Sequence, residues 1–396
     1  MRSLAWMLGS IACAPALAAQ SVLVVDTNLG PGWEFATIQS AVDAARDGDI
    51  VLVRSATYYD ESLTIVAKGL TITADFGGYV RLTEGVTVQG LLPGQTVVLR
   101  GLNIEPDTWW ANDDKYGLRA LACAGPIRVE GCTLIASHLS GKLGGRGFDG
   151  LFADGCASLV VVDCTLRGGL PTIYSSDGLG GHGLHATDSR IAAFGSSFTG
   201  MAGFSTAGGL DFDGDGVHLE GGWFYAAGCT FKGGGSPVTC NGGHGIEAES
   251  ADLVLLSPTY ASSPCRPPIS LTGCTLLELP GPRPFLVMTS PVTEGQSLQL
   301  QAAGEPNEPV LLLVSLGVED AFAAWLHAPL LVSLSPALLA PVGSTDPFGW
   351  LVQSFTVGAL PPGIQGATVF CQAAFGSGAG VRLSNPTSIV VLGATL

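Results

Sequence analysis

Apolar residues recur at every second position in short runs along most of the chain. The runs read VVLRGLNI from Val97, IRVEGCTL from Ile127, LVVVDCTL from Leu159, IAAFGSSF from Ile191, FYAAGCTF from Phe224, LVLLSPTY from Leu253 and ISLTGCTL from Ile269, with a weaker copy, IVAKGLTI, from Ile65. With the Cys132 position as reference, the copies fall at Leu70, Leu102, Cys132, Cys164, Ser196, Cys229, Pro258 and Cys274, at spacings of 32, 30, 32, 32, 33, 29 and 16 residues. A period of 2 means strands, because alternate side chains of an extended chain share a face. Self-similarity at about 30 residues means that strand-bearing coils stack on one another. Inward columns are then expected at Ile127, Leu159, Ile191, Phe224, Leu253 and Ile269, and at Val129, Val161, Ala193, Ala226, Leu255 and Leu271. A second strand per coil follows Gly117, Gly150, Gly183, Gly216 and Gly245, each succeeded by Leu, Val or Ile. The pattern predicts an all-β parallel β-helix with two strands per coil, whose core exists only in the stack.

Residues 37–73, TIQSAVDAARDGDIVLVRSATYYDESLTIVAKGLTIT, resemble the entrance to the right-handed parallel β-helix superfamily of pectate lyases, pectin methylesterases and polygalacturonases. There a short amphipathic helix caps the open end, followed by a strand, here IVLVR, a turn of GTYxE type, here Ala56 to Glu61, and an apolar strand. Ala56 stands where that family usually has Gly. Ile38, Ala41, Val42 and Ala45 would form the apolar face of the helix and cover a solenoid end that would otherwise aggregate. The resemblance implies a right-handed β-helix over residues 20–283 with an N-terminal capping helix.

Residues 1–19 carry Arg2, an apolar stretch from Leu4 to Ala14 and the small-residue run Ala16, Leu17, Ala18, the anatomy of a secretory signal peptide cleaved near Ala18 or Ala19. The protein is therefore expected outside the cytoplasm, secreted or at the cell surface. The repeats stop after Cys274, and LPGPRP, residues 279–284, reads as a linker. Beyond it, over 284–396, the runs LVMTS, SLQLQA, VLLLVSLG, LLVSLS, WLVQSFTV, ATVFCQAAF and SIVVLGA alternate with Pro, Gly and Asn, which predicts a β-sandwich domain. ATVFCQAAF followed by RLSNPTSIVV resembles the C-terminal sandwich modules appended to large secreted bacterial proteins. Glu319 and Asp320 interrupt the apolar C-terminal region before a membrane-spanning length accumulates.

Charge narrows the partners. With 17 basic and 33 acidic residues the formal net charge is −16, and removal of Arg2 with the leader would take it to about −17. Such a balance excludes nucleic acid and a bare polyanion, both of which want Lys and Arg along a groove, although calcium could still bridge a polyanion. Export permits disulfides. Cys123 with Cys132, Cys156 with Cys164, and Cys265 with Cys274 each close a segment of similar length, and Cys229 with Cys240 offers a fourth pair. The alternative is a buried column of free thiols, since Cys132 and Cys164 also occupy equivalent positions one coil apart.

Candidate chemistry lies on the outward ladders. The residue before the repeated Gly is Tyr116, Asp149, His182, Asp215 and His244, and the residue two after it is Arg119, Phe152, His185, His218 and Glu247. Coils about 4.8 Å apart would line acids and imidazoles along one face. TCNGGHGI, residues 239–246, resembles the GHG signature of polygalacturonases, with Asp213 and Asp215 one coil earlier where paired acids would be wanted, and the catalytic candidates on the ladder are Asp149, His182, Asp215 and His244. The Asn-Thr-Asp and Arg-Ile-Lys motifs of that family are absent, as are the second Asp motif and the Arg-Pro-Trp segment of the esterases. Arg119, His185, His218 and Glu247, with the aromatics Trp109, Trp110, Trp223 and Tyr225, are candidate binding residues, because ring faces suit sugars, with packing of the aromatics under the C-terminal domain an equal alternative. Asp211, Asp213 and Asp215 in DFDGDG have the alternate carboxylates of a calcium loop, without the later acid of an EF-hand. The readings that follow are binding of an extracellular polysaccharide or the cell envelope without turnover, a glycoside hydrolase or related polysaccharide-degrading enzyme on the Asp/His ladder, and a structural or self-assembling surface protein.

Overall fold

The computed structural model describes residues 20–396 apart from 31, 59–60, 107–114, 138–146, 172–178, 204–212, 236–241, 262–265, 323 and 378–379. The leader expected at 1–19, Trp109, Trp110, Asp211, Cys240 and Cys265 lie outside the described residues.

The repeats form a β-solenoid with three parallel sheets, not two. Sheet A has ten strands, and sheets B and C have eight each. One coil runs through Leu118–Leu121 in sheet C, Ile127–Glu130 in sheet A and Thr133–Ile135 in sheet B. The strand expected from Ile127 to Leu134 is thus two strands meeting at a corner. At that corner the backbone turns through positive φ, at Gly101, Gly131, Asp163, Gly195, Gly228 and Ser257 in successive coils, the conformation that glycine adopts without steric penalty. The corner between sheets C and A uses the same device at Ala67, Gly90, Ala122, Gly155, Asp188, Gly221, Ser250 and Gly273.

Register confirms most of the expected columns and corrects their ends. Ile127, Leu159, Ile191, Phe224 and Leu253 stack in sheet A, but the next partner is Leu276. Ile269 and Leu271 belong to sheet C, opposite Ile246 and Ala248. Sheet B stacks Ile104, Leu134, Leu166, Phe198, Phe231 and Tyr260, with the Phe198 and Phe231 rings parallel at 5.5 Å. These columns make one continuous core along the solenoid. The helix Ile38–Ala44 begins at Thr37, whose side chain accepts from the Ser40 N–H, and Lys68 Nζ binds the carbonyls of Val42 and Asp43 at its other end. Its Ile38, Ala41 and Val42 are buried against the first coils.

The cysteines among the described residues are free thiols. Cys123 and Cys132 flank the strand Ile127–Glu130, and Cys156 and Cys164 flank Leu159–Val162. Four extended residues span about 13 Å, whereas a disulfide needs Cα atoms within about 7 Å. The two expected pairs are therefore corner residues at opposite ends of a strand. Cys132 instead stacks on Cys164, its N–H donating to Cys164 Sγ at 3.3 Å. Cys229 is buried, and Cys274 occupies the other corner, its Sγ accepting from the Ala251 N–H at 3.4 Å. The proposed partners of these two, Cys240 and Cys265, are outside the described residues.

Beyond the solenoid the chain builds a three-stranded antiparallel sheet and a five-stranded mixed sheet that share a core of Leu286, Leu298, Leu300, Leu312, Phe375 and Ile389 among others. This curled, mixed arrangement lies over the outer face of sheet A. Val160, Val162, Phe194, Tyr225, Val254 and Leu256 pack there against Ala328, Leu331 and Leu383, and Val22, Ile50 and Leu52 against Val390 and Leu392. Sheet A is consequently covered on both faces, its outer face mostly apolar but holding buried Arg128 and Glu130. Glu130 Oε2 joins the two regions, accepting from Arg100 Nη1 at 2.5 Å and from the Ser388 N–H and hydroxyl at 2.9 and 2.8 Å.

Candidate functional site

Covering sheet A leaves sheet C as the outward face with chemistry. Its strands alternate strictly: Leu151, Ala153, Leu184, Ala186, Val217, Leu219, Ile246 and Ala248 are buried, while Phe152, His185, His218 and Glu247 point outward. Parallel register places Arg119, Phe152, His185, His218 and Glu247 in one row across successive coils. A second outward row holds Asp154, Thr187, Glu220 and Glu249. Tyr116 extends the first row, its ring 5.3 Å from Phe152, and the Arg119 guanidinium sits 5.7 Å from the Tyr116 ring centre. Phe152 then meets His185 at 5.1 Å, edge to face, and His185 meets His218 at 5.2 Å.

Asp149, His182, Asp215 and His244 stand behind this row, at the corner that precedes sheet C. All four are buried. Asp149 Oδ1 accepts from the His182 N–H at 2.8 Å, and Asp215 Oδ1 accepts from the His244 N–H at 2.7 Å. The Asp215 N–H in turn donates to His182 Nδ1 at 2.7 Å, and the His182 ring stacks on His218 at 4.6 Å. His244 Nδ1–H donates to the Pro267 carbonyl at 2.8 Å. Each carboxylate keeps one oxygen for the outward row: Asp149 Oδ2 lies 3.2 Å from His185 Nδ1, and Asp215 Oδ2 lies 3.1 Å from His218 Nδ1. The quartet expected to supply acid and base is therefore buried, and both carboxylates are engaged by backbone N–H groups and imidazoles.

Electrostatics follow from those contacts. Burial raises the Asp215 carboxyl, opposed by the hydrogen bond from His218 and reinforced by the negative Glu247. Burial by itself would lower the His218 imidazolium, but its bonds to Asp215 and Glu247 outweigh that and lift it to about 10. The same His218 contact holds Glu247 down at about 2.

The other expected residues fall elsewhere. Trp223 and Tyr225 have the outward parity foreseen for them, but on sheet A, so they are covered. Tyr225 is fully buried and donates to the His327 carbonyl at 2.8 Å, while Trp223 lies beneath Arg190 and beside Phe322. Neither presents a ring to a ligand. Asp213 Oδ1 accepts from the Gly203 N–H, and Asp215 is turned toward the imidazole row, so these two carboxylates are directed at different partners. Glu220 escaped the sequence reading, although it follows His218 by two in VHLE and therefore shares its outward parity.

No family model matches the chain, and no curated protein sequence does. Among solved structures it is similar to the pectin methylesterase from Aspergillus niger in deglycosylated form, at 16% identity over 66% of this chain and 86% of that one, with a TM-score of 0.32. The β-solenoid assignment rests on the strand register described above. No helix among the described residues is long and apolar enough to cross a membrane.

Proposed function

We propose that the protein is exported and binds a neutral extracellular polysaccharide along the outer face of sheet C, without cleaving it. The observation that carries this reading is the row Tyr116, Phe152 and His185, in which neighbouring rings stand 5.3 and 5.1 Å apart. Partly exposed rings at coil spacing offer successive apolar platforms to a chain of sugars. Arg119 at one end and the carboxylates of Asp154, Glu220 and Glu249 along the second row provide hydroxyl partners. A net charge of −16 disfavours a polyanionic glycan. Turnover is left out of the reading because Asp149 and Asp215 are buried and engaged, whereas glycoside hydrolysis needs a carboxyl pair flanking the scissile bond. The C-terminal sheets, read as a sandwich module, brace sheet A and leave sheet C free.

A glycan array followed by calorimetry tests this. Wild-type protein should bind a neutral polysaccharide with no released product, and the Tyr116→Ala, Phe152→Ala variant should lose binding while keeping its β-type circular dichroism. Equal binding by that variant, or no neutral glycan bound by the wild type, would refute the assignment.

A further inference from the structure

The outward imidazoles of sheet C carry a second arrangement, which shares His185 with the ring row but uses its other neighbours. His185 Nε2 and His218 Nε2 converge on Glu220 Oε1, at 3.8 and 3.5 Å. One donor atom from each of the three residues lies within 4.8 Å of the others. Zinc bonds of about 2.0–2.1 Å at tetrahedral angles place ligand atoms roughly 3.3–3.4 Å apart, so small side-chain adjustments would close this triangle around an ion. We propose that His185, His218 and Glu220 bind a divalent transition-metal ion of the zinc type through Nε2, Nε2 and a carboxylate oxygen, with the fourth position open to solvent.

The opposite nitrogen of each ring supports this most strongly. His185 Nδ1 faces Asp149 Oδ2 at 3.2 Å and His218 Nδ1 faces Asp215 Oδ2 at 3.1 Å. An ionised carboxylate only accepts, so each Nδ1 carries a hydrogen, and Nε2 is the nitrogen left to a metal, which on binding would displace any proton held there. A carboxylate behind each ligating imidazole is the usual way proteins fix ring orientation and raise ligand basicity. Asp149 and Asp215 are themselves fixed by the backbone N–H groups of His182 and His244. His185 takes its carboxylate from the preceding coil and His218 from its own, three residues earlier, so two different routes give the same carboxylate–imidazole contact in adjacent coils. His185 Nε2 is a buried ring nitrogen with no hydrogen-bond partner among the described residues, an omission that a metal bond would repair.

The alternative grouping of His182, Asp215 and His218 is excluded by its own hydrogen bonds. His182 Nδ1 already accepts the Asp215 N–H, and the nitrogen of His218 nearest Asp215 is the one that donates to it. The donor set also selects the ion. Two imidazoles and one carboxylate suit zinc and its neighbours, whereas calcium takes six to eight oxygens. Asp149, Asp215 and Glu247 nearby offset the charge of the ion.

Calorimetry with zinc alone and calcium alone, on metal-free and tag-free protein, tests the site, with cobalt(II) absorption reporting the coordination number. The expected result is about one zinc per chain, no calcium at this site, and intense visible cobalt bands of a four-coordinate complex. Glu220→Gln, whose side chain is 53% exposed and whose fold should be unchanged by circular dichroism, should weaken zinc. Asp149→Asn, which exchanges the acceptor behind His185, should weaken it roughly 10- to 100-fold. Absence of zinc uptake, or uptake unaltered in both Glu220→Gln and His185→Ala, would overturn the proposal. Tyr116→Ala, two coils away from His185, should leave zinc affinity intact, so failure of the glycan reading and failure of the metal site are separately visible.

Discussion

Replacing Glu130 by Ala should uncouple the C-terminal region from the solenoid. Glu130 is 2% exposed, and its Oε2 alone receives Arg100 Nη1, the Ser388 N–H and the Ser388 hydroxyl. Removing the carboxylate leaves a largely buried guanidinium without its partner, a change that typically costs about 3–5 kcal/mol. It also leaves a buried backbone N–H unsatisfied, worth about 1–3 kcal/mol. The groups share one oxygen, so these losses are not additive, and about 3–5 kcal/mol is the expected total. Glu130→Gln retains an acceptor oxygen and should lose less. Because two regions are involved, unfolding should be followed by a signal from each. In denaturant, Glu130→Ala should make the C-terminal transition precede that of the solenoid. A cycle with Ser388→Ala should show a coupling of about 0.5–3 kcal/mol. Coincident, unshifted transitions in Glu130→Ala would refute the claim that this residue ties the regions together.

Gly183→Ala should lower the unfolding midpoint by the equivalent of about 1–3 kcal/mol, because a Cβ there would lie 2.6 Å from both the Gly216 carbonyl and the Thr199 N; an unchanged midpoint contradicts the close stacking of coils. Cys132 and Cys164 should react with an alkylating reagent only after denaturation and without reductant, as read by mass shift, whereas a requirement for reductant would mean that they are bridged. Tyr225→Phe should cost about 1 kcal/mol through its lost bond to the His327 carbonyl and leave glycan binding unchanged; lost binding would return the sheet A aromatics to the site.

Sheet C was readable because six of its eight strands follow a glycine and alternate apolar with polar residues. The division between sheets A and B was not, because the period-2 pattern continues across a corner whose only mark is one residue of positive φ, such as Gly131 or Asp163. Both corners of a coil use that residue next to a small side chain. IVAKGLTI and ISLTGCTL, which turn from sheet C into sheet A, therefore looked like copies of IRVEGCTL, which turns from A into B. The final spacing of 16 was the signal of half a coil. For Trp223 and Tyr225, parity shows which way a side chain points, not what lies opposite it, so a sugar face and a seat under the C-terminal region are equally compatible with the sequence. The unbroken run LVVV, residues 159–162, did carry the message that both faces of sheet A are buried. In the C-terminal region the strand Ala337–Ser344 contains Pro341, which interrupts the apolar pattern in the sequence but which an edge strand tolerates. The bracing of His185 and His218 by Asp149 and Asp215 needs side-chain geometry that spacing cannot supply.

The most direct test of sheet C as the working face is hydroxyl-radical footprinting of the protein with and without bound polysaccharide. Oxidation of Tyr116 and Phe152 should fall on binding, while Phe348 and Trp350, which are 86% and 49% exposed on the C-terminal region, should oxidise as before. Protection of Phe348 and Trp350 with Tyr116 and Phe152 unchanged would place the ligand on the other region and contradict the account.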